Sequence, residues 1–202
     1  MNTRDSFHTS RALIAVLILL FLASLAWLSY GNYAAGSKPL EIAVSAVLLS
    51  VPLGLLYFSI GLLVTANQQR RRQGQVSAGL AKTIYRTPRI AGLLIAIFVG
   101  LFALDVFVPG YTIWQQLAAF VIHAMPAILL AVLLALAWHR PAVGFAAFLA
   151  AAVLFLRFVI GDDLGQALGM ILLFSGPMAA IAMLFWANWK WPVERLPAQP
   201  PQ

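Results

Sequence analysis

The chain alternates between long apolar stretches and short polar ones. Each of six apolar stretches holds 19 to 27 residues. An α-helix rises about 1.5 Å per residue, so about 20 such residues cross the hydrocarbon core of a bilayer. Polar and apolar residues do not alternate within these stretches, whereas the strands of a membrane barrel would need that alternation. The pattern therefore predicts six transmembrane helices, at residues 12–30, 40–66, 90–108, 112–138, 142–160 and 167–189.

A polar interval at residues 67–89 separates the first two apolar stretches from the last four. This order predicts an all-α, polytopic transmembrane bundle in which a two-helix hairpin is joined to a four-helix domain. We assign residues 1–66 to an N-terminal tail with the hairpin, and residues 90–189 to the four-helix domain. Residues 190–202 hold four prolines and form a predicted disordered cytoplasmic tail.

The interval at residues 67–89 is strongly basic. Within it, Val76, Leu80 and Ile84 recur every four residues, which is typical of a short helix lying in the membrane interface. A solvated linker and a continuation of the second helix are the alternatives. Basic side chains beside apolar stretches are expected to contact anionic lipid headgroups. The predicted headgroup contacts are Arg70, Arg71, Arg72, Lys82, Arg86 and Arg89.

Composition supports lipid as the solvent of this chain. Hydrophobic residues make up 62% of the 202 residues and charged residues only 9%, too few to cover a soluble globule. The net charge of +7 is carried beside apolar stretches. Because no aromatic platform accompanies these basic residues, we exclude nucleic acid as a partner. The predicted partners are anionic lipids, together with other membrane proteins or further copies of the chain.

The distribution of Lys and Arg predicts the orientation. If the six predicted helices cross the membrane in turn, eleven of the thirteen Lys and Arg residues fall in the polar segments of one side. The two exceptions are Lys38 and Arg157. Positive residues are retained in the cytoplasm, so both termini are expected there, with the protein in a bacterial inner membrane. The first stretch is expected to be a retained helix, because it is longer than a signal-peptide core and ends with the interfacial aromatics Trp27 and Tyr30.

Three ionisable residues, Asp105, His123 and Arg157, fall within the predicted helices, where charge is costly and functional use is the first hypothesis. Asp105 and Arg157 lie about equally far from the outer ends of the third and fifth helices. They are expected to contact each other as a structural clamp rather than a relay. The alternative is that Arg157 extends outward to headgroups or to Asp162 and Asp163.

His123 lies near the middle of the fourth helix, three residues before Pro126. A proline inside a helix frees a carbonyl and kinks the chain, so a neutral His123 is expected to donate to a nearby backbone carbonyl. A proton relay or a substrate contact is the alternative. Pro177 predicts a second kink, in the sixth helix.

No motif for catalysis or cofactor binding is found in the sequence. The chain has no cysteine, and it contains no HExxH, GxSxG or phosphate-binding glycine loop. No second ligand lies at a useful spacing from His123. We therefore predict no catalytic residue, no metal site and no cofactor.

Several features are shared with a known group of proteins. They are FALDVF at residues 102–107, His123 and Pro126 in a His-x-x-Pro spacing, and Pro177 in the last helix. Over about residues 86–191 the chain resembles an uncharacterised family of small bacterial integral membrane proteins whose unit is four helices. The resemblance implies a four-helix unit and makes Asp105, His123 and Pro126 stronger candidates for a functional role. It implies no activity.

Three functions fit this pattern. The first is a non-enzymatic membrane scaffold or accessory subunit, since polar groups are scarce and small residues such as Gly92 and Gly100 form a helix-packing ladder. The second is a small proton-linked transporter that uses Asp105, His123 and Arg157. That function needs a water-filled cavity at His123. The two-helix and four-helix parts of the chain form no inverted repeat, which counts against a transporter. The third is a lipid-modifying enzyme, which needs polar residues to converge in a cleft at one interface.

Overall fold

The computed structural model describes residues 3–107, 109–157 and 164–191, with side chains from residue 11 onward. Over these residues the chain is helical and contains no strand, so the predicted all-α fold is confirmed. The elements are α1 (Thr3–Ala34), α2 (Pro39–Gln73), α3 (Ala78–Leu101), a 3₁₀ helix (Phe102–Val106), α4 (Ile113–Ala137), α5 (Pro141–Arg157), α6 (Leu164–Met170), a π-helical turn (Ile171–Ser175) and α7 (Gly176–Lys190).

Five helical segments are long and apolar enough to cross a membrane. The remaining predicted span corresponds to α5, which has 17 residues and a length of about 25 Å. Its predicted last residues, 158–160, lie outside the described ones, as do Asp162, Asp163 and the tail beyond Trp191. Six spans therefore stay a prediction. The five segments are Arg11–Ala34, Pro39–Gln73, Ala78–Val106, Ile113–Ala137 and Leu164–Lys190.

The basic interval is divided between two long helices. α2 continues to Gln73, and α3 begins at Ala78. Gly74 ends α2 in a left-handed conformation with φ 73°, and its N–H donates to the carbonyl of Arg70 at 2.8 Å. Glycine adopts this conformation without the steric cost that a side chain would add. Of the residues expected to form a short interfacial helix, Leu80 and Ile84 lie in the first turns of α3, and Val76 lies in the turn before it.

The apolar stripe of that interval faces the protein. Ile84 is buried in a cluster with Ala66 of α2 and Leu184 of α7. Val76 and Leu80 pack against the same cluster. The four-residue period therefore marks the surface by which the start of α3 packs on its neighbours.

The main core lies among α3, α4, α5 and α7, and it depends on small residues where the helices approach. A Cβ at Gly144 of α5 would lie 2.7 Å from the ring of Phe185 in α7. Because this space is free, Phe185 stacks on Phe148 at a centroid distance of 5.7 Å. Gly92, in the predicted small-residue ladder of α3, also leaves space for neighbouring side chains. A Cβ there would lie 2.9 Å from side-chain atoms of Leu134 and Phe148.

α1 lies at the edge of the bundle and packs chiefly on α2. The hydroxyls of Ser24 and Tyr57 are 2.7 Å apart, and the amide of Asn32 donates to the hydroxyl of Ser45 at 3.0 Å. No residue in the most apolar window of α1 is buried. The helix is therefore held to the bundle along one side and exposes the rest of its apolar surface.

Close packing at Gly144 generates a stability prediction. Gly144→Ala is expected to lower the free energy of unfolding by about 1–3 kcal/mol, because the new methyl group displaces the Phe185 ring from its stack. The measurement is the thermal unfolding midpoint of the purified protein in detergent. Gly54→Ala is the matched control. No atom lies within 4 Å of the position that a Cβ would occupy at Gly54, and alanine favours a helix interior more than glycine does. Equal midpoints for the two variants would contradict the packing argument.

Candidate functional site

The three ionisable residues predicted from the sequence do not form one site in the described part of the chain. Asp105 lies in the 3₁₀ helix, His123 in the middle of α4 and Arg157 at the last residue of α5. All three side chains are exposed. A cluster of three His, Asp or Glu side chains able to hold a metal is also absent from the described residues.

The expected contact between Asp105 and Arg157 is not present. Among the residues that the structure describes, these two side chains form no ion pair. The physical reason is the change of helix type at Phe102, since a 3₁₀ helix has three residues per turn where an α-helix has 3.6. The direction of Asp105 therefore cannot be extrapolated from the rest of α3. The alternative partners of Arg157, the two aspartates at 162 and 163, lie outside the described residues.

His123 forms a hydrogen bond within its own helix. Its Nδ1 lies 2.9 Å from the carbonyl oxygen of Ala119, so Nδ1–H donates to that carbonyl. Donation to a backbone carbonyl is what the sequence predicts, but the acceptor differs from the carbonyl freed by proline. Pro126 has no N–H to donate to the carbonyl of Ile122, four residues before it. α4 nevertheless continues through this point without a break. The exposed imidazole of His123 is thus hydrogen-bonded to the backbone of its own helix.

A polar cluster that the sequence did not single out surrounds the buried Pro88 in α3. Proline has no N–H, so the carbonyl of Ile84, four residues earlier, loses its intrahelical donor. The side-chain amide of Asn188 in α7 donates to this carbonyl at 3.0 Å. A residue separated by 104 positions therefore replaces the missing backbone group.

Arg89 joins the same turn of α3 to the end of α4. Its side chain is only 5% exposed. Nη2 and Nε donate to the carbonyl of Trp138 at 2.8 Å and 3.3 Å, and Nη1 donates to the carbonyl of Tyr85. The guanidinium carbon also lies 3.8 Å from the centre of the Tyr85 ring. Trp138 caps the C-terminus of α4, where unpaired carbonyls and the helix dipole favour a cation.

We call Tyr85, Pro88, Arg89, Trp138 and Asn188 the Pro88 cluster. Backbone carbonyls accept hydrogen bonds from the guanidinium of Arg89 and from the amide of Asn188. The arrangement can therefore stabilise the contact of α3 with α4 and α7. A proline near the start of an apolar helix was the available signal, because it requires a donor for the carbonyl four residues earlier.

Arg89 must be removed from the predicted set of headgroup contacts, because its guanidinium is buried against protein acceptors. The other five basic side chains of the interval are exposed. One of them, Arg70, has its guanidinium carbon 5.0 Å from the centre of the Trp191 ring. The exposed set comprises Arg70, Arg71, Arg72, Lys82 and Arg86.

The irregularity predicted at Pro177 takes the form of the π-helical turn before it. The N–H of Gly176 donates to the carbonyl of Ile171, five residues back, and Pro177 lacks the N–H that would continue this pattern. A side chain at Gly176 is excluded, because its Cβ would lie 2.8 Å from the Ile171 oxygen. The turn places Phe174 against three aromatic rings of α3, the 3₁₀ helix and α5.

The described fold is a multi-helix bundle with five segments suited to a membrane, which is compatible with a multi-pass membrane protein. Residues 78–197 match the model of a family described as a domain of unknown function, DUF7670. This match covers more than half of the chain, so the protein belongs to that family. No curated protein and no solved structure matches the chain.

The family match begins at the first residue of α3 and therefore includes α3 to α7 with the Pro88 cluster. α1 and α2 precede it. The resemblance to an uncharacterised family is confirmed at this level. The bacterial, membrane and four-helix character inferred for that family stays a prediction.

The Pro88 cluster makes a prediction about coupled mutations. Asn188→Ala is expected to cost about 1–3 kcal/mol of stability, because it leaves a buried carbonyl at Ile84 without a donor. In a Pro88→Ala background, residue 88 regains its N–H and can donate to that carbonyl, so the same change should cost clearly less. The measurement is a double-mutant cycle of unfolding free energies in detergent.

The exposed Asn67 of α2 provides the control for this cycle. Asn67→Ala should have the same small effect with proline or alanine at position 88. If Asn188→Ala costs the same in both backgrounds, the amide does not replace the missing backbone donor.

Proposed function

We propose that this chain is a non-enzymatic scaffold or accessory subunit of the bacterial inner membrane, with both termini in the cytoplasm. The observation that carries the proposal is the position of α1. This helix is apolar, packs chiefly on α2, and has no buried residue in its most apolar window. Between helices in lipid, association depends on packing rather than on the hydrophobic effect. The outer surface of α1 is therefore available to a helix of another protein.

The use of polar groups in the bundle supports the same proposal. Arg89 and the buried Thr87 donate to backbone carbonyls. Asp105, His123 and Arg157 are exposed and lie on separate elements. A proton-linked transporter would use these three residues along a hydrated path, and a lipid-modifying enzyme would bring polar groups together in a cleft. The scattered positions of the ionisable residues favour a structural role over both.

The orientation rests on the charge distribution along the helices. The turn between α2 and α3 follows Arg70, Arg71 and Arg72, whereas the described carboxylates Glu41 and Asp105 lie at the opposite ends of these helices. Positive residues favour the cytoplasmic side. This bias supports an α2–α3 turn in the cytoplasm and an α1–α2 turn on the other side of the membrane.

The orientation can be tested by cysteine labelling, because the chain contains no native cysteine. In spheroplasts, a membrane-impermeant maleimide should label Ala35→Cys in the α1–α2 turn and Tyr111→Cys before α4. Gln75→Cys in the α2–α3 turn should react only after detergent is added. All three native residues are exposed. Labelling of Gln75→Cys in intact spheroplasts would reverse the proposed orientation.

The scaffold role can be tested by photocrosslinking in living cells. A photoreactive amino acid at Leu19 of α1, which is 65% exposed, should form a discrete adduct with a membrane protein or with a second copy. The same probe at Ile122 of α4, which is 68% exposed, is the matched control and should form no such adduct. Each adduct is identified by mass spectrometry.

Two results would contradict a scaffold that uses α1. One is an identical adduct pattern from Leu19 and Ile122, since this would reflect crowding alone. The other is proton flux by the purified protein in vesicles that disappears in the His123→Ala variant. This second result would favour the transporter.

A further inference from the structure

An apolar groove runs along the junction of α1 and α2 and is bounded at one end by α3. Its volume is about 490 Å³. Its walls include Leu13 and Phe21 of α1, Gly54 and Thr65 of α2, and Leu80 of α3. Gly54 presents no side chain to the groove, and no atom lies within 4 Å of the position that a Cβ would occupy there.

The length of the groove corresponds to one leaflet of a bilayer. Its lining spans residues 13–21 on α1 and 54–65 on α2, which correspond to about 12 Å and 16 Å of helix. Half of the hydrocarbon core of a bilayer is about 15 Å thick. One extended acyl chain therefore matches the groove from end to end.

The walls of the groove are suited to hydrocarbon. The polar atom that Tyr57 brings to the lining is its hydroxyl, and this group is engaged with Ser24 of α1 at 2.7 Å. Two lining residues, Phe21 and Tyr57, meet edge to face at a centroid distance of 6.5 Å. A hydrocarbon chain in the groove would contact two helices and the start of a third, whereas one on the side of a single helix would contact that helix alone.

Positive charge lies at the end of the groove near Leu13, Thr65 and Leu80. Arg11 precedes Ile14 by three residues and therefore continues the lining face of α1 toward this end. Arg72 follows Thr65 by seven residues and continues the corresponding face of α2. Both side chains are exposed.

Of the carboxylate side chains that the structure describes, none lies at this end of the groove; Asp5 belongs to the first turns of α1 at this end, and its side chain is outside the described ones. Glu41 is in the first turn of α2, and Asp105 follows α3 in the 3₁₀ helix. Arg11 and Arg72 are therefore not neutralised by either of them. The charge at this end complements an anionic headgroup.

From this combination we propose that the α1–α2 groove is a binding site for one anionic phospholipid. One acyl chain lies along the groove beside Gly54, and the phosphate lies between Arg11 and Arg72. The site goes beyond the scaffold role and does not depend on it, because it uses the inner junction of α1 with α2 rather than the outer surface of α1.

The experiment is native mass spectrometry of the full-length protein released from detergent with defined lipids. Phosphatidylglycerol and phosphatidylcholine with identical acyl chains are the two probes. The wild-type chain should retain one phosphatidylglycerol. Gly54→Leu should weaken retention by at least about tenfold, the loss expected when about two methylene groups are displaced. Gly31→Leu is the matched control at an open position of α1, and its retention should be unchanged.

A second variant tests the headgroup half of the site. The double variant Arg11→Gln, Arg72→Gln should weaken phosphatidylglycerol binding by roughly thirtyfold, the change expected for two arginines near an anionic surface. Its binding of phosphatidylcholine should stay the same. This variant leaves the groove itself intact, so it also controls for any disturbance of folding by Gly54→Leu.

Three outcomes would overturn the proposal. Equal retention by Gly54→Leu and Gly31→Leu would show that lipid binds elsewhere. Equal binding of the two lipids by the wild-type chain would remove the role of the arginines. A wild-type dimer without bound lipid that Gly54→Leu dissociates would assign the groove to a second copy of the chain. The first two outcomes do not bear on the crosslinks from Leu19, so this site and the scaffold role can fail separately.

Discussion

A backbone carbonyl inside a membrane protein must find its donor within the protein, because lipid supplies none. Pro88 violates this condition in α3, since it cannot donate to the carbonyl of Ile84. Asn188 of α7 supplies that donor, and Arg89 joins the next carbonyl of α3 to the C-terminus of α4. The missing N–H of Pro88 thus leads to the bond that joins α3 to α7, and Arg89 beside it joins α3 to α4. The family match begins with the helix that contains this proline.

Away from that end, the bundle depends on shape. Helices in lipid gain little from hiding apolar surface, so close packing must hold them together. Gly144 admits the ring of Phe185 to its stack with Phe148. Gly176 allows a π-helical turn to form before Pro177, and this turn directs Phe174 into the aromatic contacts. Small residues and prolines therefore set the positions of the large side chains.

The hydrogen bonds made by the polar side chains of the bundle bear on its function. The buried Arg89 and Thr87 and the half-buried Asn188 donate to backbone carbonyls. What the molecule offers to its surroundings is the exposed surface of α1, the groove behind it and the basic end of α2. These surfaces are suited to other helices and to lipids, so a structural role in a membrane agrees with the physical character of the chain.

The sequence by itself determined the helical class and the small-residue faces, because these depend on local composition and on the period of the helix. It also indicated a backbone irregularity at Pro177. It did not determine the end of α2 or the start of α3, which extend into the basic interval. The tertiary structure alone decided where polar side chains point. The depth of Asp105 could be counted along α3, but its direction depends on the change to a 3₁₀ helix. Arg89 had the same pattern as its exposed basic neighbours, yet its acceptor lies 49 residues away. Partners that distant in sequence are selected by packing, and packing has no local signature.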